Sequence, residues 1–375
     1  MLIGIDASRA TSPEPTGSEH YSWRLINGLL SIPGEHRHRL YMRDRPPAGH
    51  FRDAPGVEQV VIPFPRLWTH LRLSAEMMAR PPDVLFVPAH VLPLAHPRRS
   101  VVTVMDLGYL AYPEAHRWAD RVYLDQSTRW NVRQARHIIA ISGATRDDIV
   151  AHYGTDPARI TVIYPGVNEE VVRVEDAGHI QSVRLRYGLP ATYLLYVGTL
   201  HPRKNLARLV RAFGTVLKTW PPTAGEPPSL VLAGKKGWLC DEIFREVRTL
   251  ELEGQVIFPG YIPQGDLPAL MSGARAFVYP SFFEGFGFPI LEAMACGTPV
   301  VCSRASCLPE VAGDAAWLID PRDEADLARG MERVVSDETL RAELVERGRR
   351  RVAGFTWARC ARETLAVLER VNAEG

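Results

Sequence analysis

What most constrains this chain is a series of short, uninterrupted apolar runs, each followed by a helical pattern, played through twice in 375 residues. Runs such as Ser100–Met105 (SVVTVM) and His137–Ile141 (HIIAI) show no polar alternation. Both faces of such strands must be buried, which a parallel sheet with crossover helices on each side achieves. In the first series the strands are Leu2–Asp6, Arg39–Met42, Gln59–Ile62, Val84–Phe86, Ser100–Met105, His137–Ile141 and Ile160–Ile163. Amphipathic stretches at His20–Leu30, Leu67–Ala79 and Trp118–Ala135 lie between them. The pattern breaks at Tyr164–Asn168 and restarts at Tyr193–Val197. Strands SLVLAG, QVIFPG, AFVYPS, TPVVCS and AAWLID follow, with helices at Leu206–Leu217, Asp241–Leu252, Leu267–Ser272 and Ile290–Ala295. The expected fold class is α/β, two Rossmann-like doubly wound domains at 1–168 and 169–355. A last helix within 356–375 is placed to cross back to the first domain. Ligands of such sheets bind outside the carboxyl ends of the strands. The expected site is therefore a cleft that the two domains face, with closure as the expected motion.

Composition narrows the function classes. A net charge of +1 provides no whole-molecule field for nucleic acid. The chain has no run of eighteen apolar residues that would suit a transmembrane helix. It opens directly on a strand, MLIGIDASRA, without the basic and apolar regions of a signal peptide. Five cysteines, an odd number without CxxC spacing, argue against a disulfide framework or structural zinc. A cytoplasmic location is expected. Arg66, Arg72 and Arg80 flank Trp68, Leu71, Leu73 and Met77, and two readings stay open there. One is a packed helix with arginines at its rim, the commoner case. The other is a peripheral contact with an anionic membrane on its inner face.

Chemistry concentrates in two segments. In Tyr279–Ser303, YPSFFEGFGFPILEAMACGTPVVCS, a strand runs through a glycine loop into a short helix and a second strand. Gly285 and Gly287 permit backbone angles closed to other residues. Pro289 suits a first helical turn and Gly297 the position after a helix end. The loop amides and helix N-terminus suit phosphate or sugar oxygens. Glu284 and Glu292 bracket the loop, and carboxylates accept hydrogen bonds from paired hydroxyls. Taken singly, each is better read as a surface or helix-dipole charge; together, in this loop, they point to hydroxyl binding. In Val197–Leu206, VGTLHPRKNL, Gly198 and Thr199 lead to Arg203 and Lys204 just before a helix. Cations there are unfavourable without an anion to meet them, and a diphosphate is such an anion. Lys204 is one of only four lysines in an arginine-rich chain, with Lys218, Lys235 and Lys236. Lys235 follows strand SLVLAG in the same way.

These segments resemble glycosyltransferase family 4, a family of retaining enzymes with the GT-B fold. The resemblance rests on Glu284 and Glu292 with seven residues between them, on GTLHPRKNL, and on PEVAGDAAWLIDP. It extends to VVTVMDLGYLAYPEAH and ARHIIAISGATRDDI, and so spans nearly the whole chain. It implies a hexosyltransferase taking a mannose- or glucose-type sugar from a UDP- or GDP-sugar to a glycan or lipid-linked acceptor. The second domain would bind the nucleotide sugar and the first the acceptor. Arg203 and Lys204 would hold the diphosphate, Glu292 the ribose and Glu284 the sugar. Backbone groups of Phe286, Gly287 and Phe288 would contact sugar and phosphate, and Gly260, Tyr261 and Ile262 would hold the base. Gly17, in the loop PTGSEH before the first helix, would approach the diphosphate.

Many relatives carry His-Asp where this chain has Met105–Asp106. Asp106 remains able to accept from a hydroxyl, Met105 cannot donate, and His90 is a candidate replacement imidazole. No DxD sequence is present to ligate a metal through the phosphates. The expectation is catalysis without metal or cofactor, by Glu284, Asp106, Arg203 and Lys204. A nucleotide-sugar-binding protein without transfer activity and a GT-B epimerase are the alternative readings.

Overall fold

The apolar runs form two parallel sheets. The computed structural model describes residues 1–12, 17–64, 66–115, 117–221 and 225–374. Its two units are Met1–Gly166 with Phe355–Gly375, and Val167–Gly354.

The first unit holds β1 (Leu2–Asp6), β2 (Arg37–Met42), β3 (Val57–Val61), β4 (Val84–Val87), β5 (Ser100–Val104), β6 (His137–Ala140) and β7 (Ile160–Val162). Their order is β3-β2-β1-β4-β5-β6-β7, all parallel. The second unit holds β8 (Tyr193–Val197), β9 (Ser229–Ala233), β10 (Val256–Gly260), β11 (Ala276–Tyr279), β12 (Val300–Ser303) and β13 (Ala316–Ile319). Their order is β10-β9-β8-β11-β12-β13. Each sheet reverses its winding once, between β1 and β4 and between β8 and β11. At such a switch point the connections leave in opposite directions and open a crevice at the carboxyl ends. Strands β4, β5, β6, β11 and β12 are buried throughout, as their unbroken apolar sequences require.

Helices Gly108–Ala111, Gly143–Tyr153, Ala177–Arg186, Leu308–Ala312 and Glu338–Val352 are additional to those read from the pattern. The first helix begins at Gly17 rather than His20. Gly17 therefore opens that helix instead of lying in the loop before it. Pro15 and Thr16 of the PTGSEH segment fall outside the described residues. The segment expected as one helix from Leu67 is a π-helical stretch, Trp68–Leu73, followed by an α-helix, Ser74–Ala79. Trp68, Leu73 and Met77 enter the core, with the Trp68 indole donating to the Ile62 carbonyl at 2.8 Å. Leu71 points outward. The packed-helix reading thus holds for three of the four apolar side chains.

Helix Trp357–Ala373 packs on helix Gly17–Leu30 within the first unit. Thr356 caps it, accepting from the Arg359 amide at 3.2 Å. Trp357 meets Tyr21 edge-on with ring centroids 5.9 Å apart. Gly28 lets Ala361 close in: a Cβ there would lie 3.0 Å from the Ala361 methyl. A His36–Glu369 hydrogen bond at 2.9 Å and an Arg136–Glu374 ion pair at 3.2 Å lie along its exposed side.

Candidate active site

At the switch point of the second sheet, the chain leaving β8 and the chain leaving β11 bring three charges into contact. Pro202–Lys204 forms one 3₁₀ turn, which His201 caps by accepting from the Arg203 amide at 3.2 Å. Asn205 then takes a left-handed conformation, φ 61°, which Asn tolerates better than most residues. Its amide donates to the carbonyls of Pro280 at 3.2 Å and Pro321 at 2.8 Å, tying this turn to the loops after β11 and β13. Lys204 is thereby directed inward. Its Nζ donates to Glu284 Oε1 at 2.5 Å and to the Tyr279 hydroxyl at 3.0 Å. Arg203 Nη1 reaches Glu284 Oε2 at 3.2 Å and also donates to the Phe283 carbonyl.

Glu284 is only 8 % exposed. Burial alone raises a carboxyl, yet Lys204 and Arg203 prevail and bring it from 4.5 to about 2. Its backbone is fixed as well: Ser306 Oγ and Cys307 Sγ donate to its carbonyl at 2.7 and 3.1 Å. Tyr279 beneath the cluster is fully buried and stacks on Tyr196 with centroids 5.7 Å apart. Burial first, and then Glu284, holds the Tyr279 phenol well above its usual range, so it stays neutral.

Gly287 precedes helix Phe288–Ala295 in a left-handed conformation, φ 92°, and a Cβ there would lie 2.6 Å from Leu308 Cδ2. Phe286 is buried, and Phe288 begins the helix followed by Pro289. Glu292 follows one turn in. The residue is only partly buried and has no described cation beside it, and the packing around it raises its carboxyl from 4.5 to about 7. Glu292 has no side-chain hydrogen bond or ion pair to another described residue. The two signature glutamates are therefore opposite in character, one clamped ionised by two cations and one poised to change charge near neutrality.

The loops after β8, β9 and β10 are laced together at the same sheet edge. Gly198 N donates to the Ala233 carbonyl at 2.9 Å, and Gly234 N to Gly260 at 2.7 Å. Gly234 has φ 146°, and a Cβ there would fall 1.9 Å from the Gly198 carbonyl oxygen. Gly234→Ala is expected to destabilise the second unit by about 3 kcal/mol or more, strain and backbone clash combined. Urea unfolding of the variant checks this. Thr199 is exposed, and Lys235 lies over the ring of exposed Tyr261 with Nζ 5.2 Å from its centroid. Ile262 is buried.

Gly17, His90, Met105 and Asp106 belong to the first unit. Asp106, exposed after β5, accepts from the Gly108 amide at 2.8 Å, and the Met105 carbonyl accepts from Thr145 Oγ1 at 3.3 Å. His90 lies beyond β4, where its ring meets Arg9. Sequence reasoning missed Tyr279, Asn205 and Ser306 in the second unit, and Arg9 and Glu19 in the first. The signal for Arg9 was its position just past β1, at a switch point identifiable once the strand order is known.

Comparison with known proteins adds identity to this geometry. The family model for glycosyl transferases group 1 matches residues 187–351, and that for glycosyltransferase family 4 matches residues 15–171. The O-antigen chain mannosyltransferase B of Escherichia coli is 35 % identical over 269 residues, covering 71 % of this chain and 69 % of that protein. The serotype-specific mannosyltransferase WbdA of the same organism is 33 % identical over 61 % of this chain, which spans 28 % of that longer protein. An Anabaena protein, HepE, solved with UDP and glucose, shares the fold with a TM-score of 0.73 at 19 % identity, over 98 % of this chain and 99 % of that one. On both units, then, the chain belongs to the group 1, family 4 glycosyltransferases, enzymes of two Rossmann-like domains.

Proposed function

We propose that this enzyme transfers a mannosyl residue from a nucleoside-diphosphate mannose to a glycan or lipid-linked acceptor, with retention at the anomeric carbon and no required metal. The observation that carries this reading is the Lys204–Arg203–Glu284 cluster at the β8/β11 switch point. The named mannosyltransferase relatives support the sugar. A related fold holding UDP supports the kind of donor.

In this reading the donor diphosphate takes over cations that Glu284 now holds, and Glu284 is released to accept from a sugar hydroxyl. Glu292 accepts from the ribose. The backbone of Phe286, Gly287 and Phe288 meets sugar and phosphate, that of Gly260, Tyr261 and Ile262 holds the base, and Gly198, Thr199 and Lys235 complete the donor side. The C1–phosphate bond breaks through an oxocarbenium-like centre as the C1–O bond to the acceptor forms. The departing diphosphate takes the acceptor proton on the same face. Preorganised cations stabilise that departing charge. The first unit binds the acceptor, with Asp106 and His90 as its polar contacts. No described helix is long and apolar enough to cross a membrane.

Anomeric proton NMR of the product, formed from UDP- and GDP-linked mannose in EDTA, tests this reading. A product with the donor's own anomeric configuration is expected. An inverted product, or transfer that appears only when a divalent cation is added, contradicts it.

Glu292 gives a pH dependence. Its folded value of about 7 lies above the unfolded one, so this carboxyl lowers stability as pH rises from about 4.5 through about 7. Ribose hydroxyls that donate to the carboxylate favour its charged form, so donor binding releases a proton below pH 7. Affinity is expected to rise up to about tenfold per pH unit toward 7 and then level off. Calorimetry in two buffers of different ionisation enthalpy reads the released proton. Glu292→Gln should flatten the profile.

A further inference from the structure

The switch point of the first sheet, between β1 and β4, carries a polar chain that runs from Glu19 through Arg9 to His90. The β1 strand ends at Asp6, and three residues on Arg9 turns its guanidinium toward His90, which lies three residues beyond β4. Arg9 Nη2 is 3.3 Å from His90 Nδ1. Arg9 Nη1 is 3.3 Å from Glu19 Oε1, and Glu19, almost wholly buried, also accepts from Ser18 Oγ at 3.1 Å.

His90 itself is held against its own backbone preference. Its φ is 125°, a region L-residues rarely adopt, and such strain persists only where the surroundings impose it. Asn131, buried on helix Trp118–Gln134, imposes it. Its Nδ2 donates to the His90 carbonyl at 2.9 Å, and its Oδ1 accepts from the Leu92 amide at 2.9 Å.

A guanidinium has five N–H donors and no acceptor. The nitrogen facing Arg9 must therefore offer its lone pair, which in a neutral ring puts the proton on the other nitrogen. We propose that Arg9 fixes His90 as the tautomer protonated on Nε2, making His90 a hydrogen-bond donor to a hydroxyl of the acceptor sugar and Arg9 its positioning residue. The ring stays neutral at physiological pH. Burial first, then the charges of Arg9 and His70, lower it to about 4, and Glu19 opposes them only weakly. A fixed neutral donor discriminates among hydroxyl positions without attracting anions. It supplies in this unit the hydrogen bond that Met105 cannot make. The inference rests on the acceptor role proposed above for the first unit.

Two measurements on the full chain test it. In long-range ¹H–¹⁵N NMR of histidine-labelled protein, His90 is expected as a single Nε2–H tautomer from pH 6 to 8. The double variant Arg9→Met/Glu19→Gln, which avoids leaving Glu19 without its cation, should show both tautomers. A wild-type Nδ1–H form, or an unchanged tautomer in the double variant, overturns the role of Arg9. In the second measurement, methyl α-mannoside is titrated at millimolar concentration and should shift the His90 Nε2–H resonance. His90→Gln, whose amide nitrogen occupies the Nε2 position, should bind the mannoside within about twofold of wild type. His90→Leu should bind about tenfold more weakly, the size of one lost neutral hydrogen bond. Equal binding by His90→Leu, or no resonance shift, overturns the donor role. Neither result bears on nucleotide binding by the second unit, so failure here and failure of the transferase reading are separable.

Discussion

Lys204→Met is expected to lower kcat/KM for transfer about a hundred- to a thousandfold, the usual consequence of removing one preorganised group that stabilises departing charge. Lys204 is the most enclosed of the two cations: its side chain is 11 % exposed against 24 % for Arg203. A charge with less competing water acts more strongly on a diphosphate. Arg203→Met should therefore lose less, and the difference between the two variants measures how far burial amplifies the charge. Methionine keeps most of the lysine's volume, so lost packing contributes little. A second consequence follows from Glu284. Its carboxylate, held down at about 2, contributes stability that is present above its unfolded value of 4.5 and is lost as pH falls through about 2. Without Lys204, burial pulls that carboxyl upward, and acid unfolding of the second unit should begin at a higher pH than in wild type. Steady-state kinetics at pH 7.5 and a circular-dichroism acid titration check the two effects separately.

Truncation after Gly354 is expected to unfold the first unit while leaving the second folded. Helix Trp357–Ala373 buries Trp357, Cys360, Ala361, Val367, Leu368 and Val371 against the first sheet and helix Gly17–Leu30. At about 1.5–3 kcal/mol for each large apolar side chain, their loss amounts to roughly 10 kcal/mol. That equals the entire stability of a typical domain. Gly166, where a Cβ would sit 2.3 Å from the Trp357 amide nitrogen, shows how closely the returning chain is seated. Differential scanning calorimetry should show one transition missing from the truncated protein. Exposed apolar surface should then bind a hydrophobic dye.

The strands were legible because burial on both faces leaves a local record: SVVTVM, HIIAI and AFVYP have no polar face to hide. The helices Ala177–Arg186 and Glu338–Val352 left a weaker one. Each buries only a narrow strip, Val183 in the first and Arg341, Leu344 and Gly348 in the second, so neither shows a clear apolar face. The site was legible as residue types and not as contacts. Lys204 and Glu284 are eighty positions apart and meet only because β8 and β11 are neighbours. That adjacency comes from strand order, which no spacing in the chain encodes. The same holds for Arg9 and His90, eighty-one apart across β1 and β4. Glu284 and Glu292 were both read as hydroxyl acceptors. Their opposite protonation behaviour comes from Lys204 and Arg203 standing beside one and no cation beside the other.

The central claim is that Lys204 and its partners hold a nucleoside diphosphate, and isothermal titration calorimetry of the wild type and Lys204→Met with UDP, GDP, ADP and CMP in EDTA tests it most directly. The account predicts that one diphosphate binds the wild type, that affinity falls at least tenfold in Lys204→Met, and that both proteins keep the same far-ultraviolet circular dichroism. A diphosphate that binds both proteins equally, or no binding of any of the four to the wild type, would contradict it.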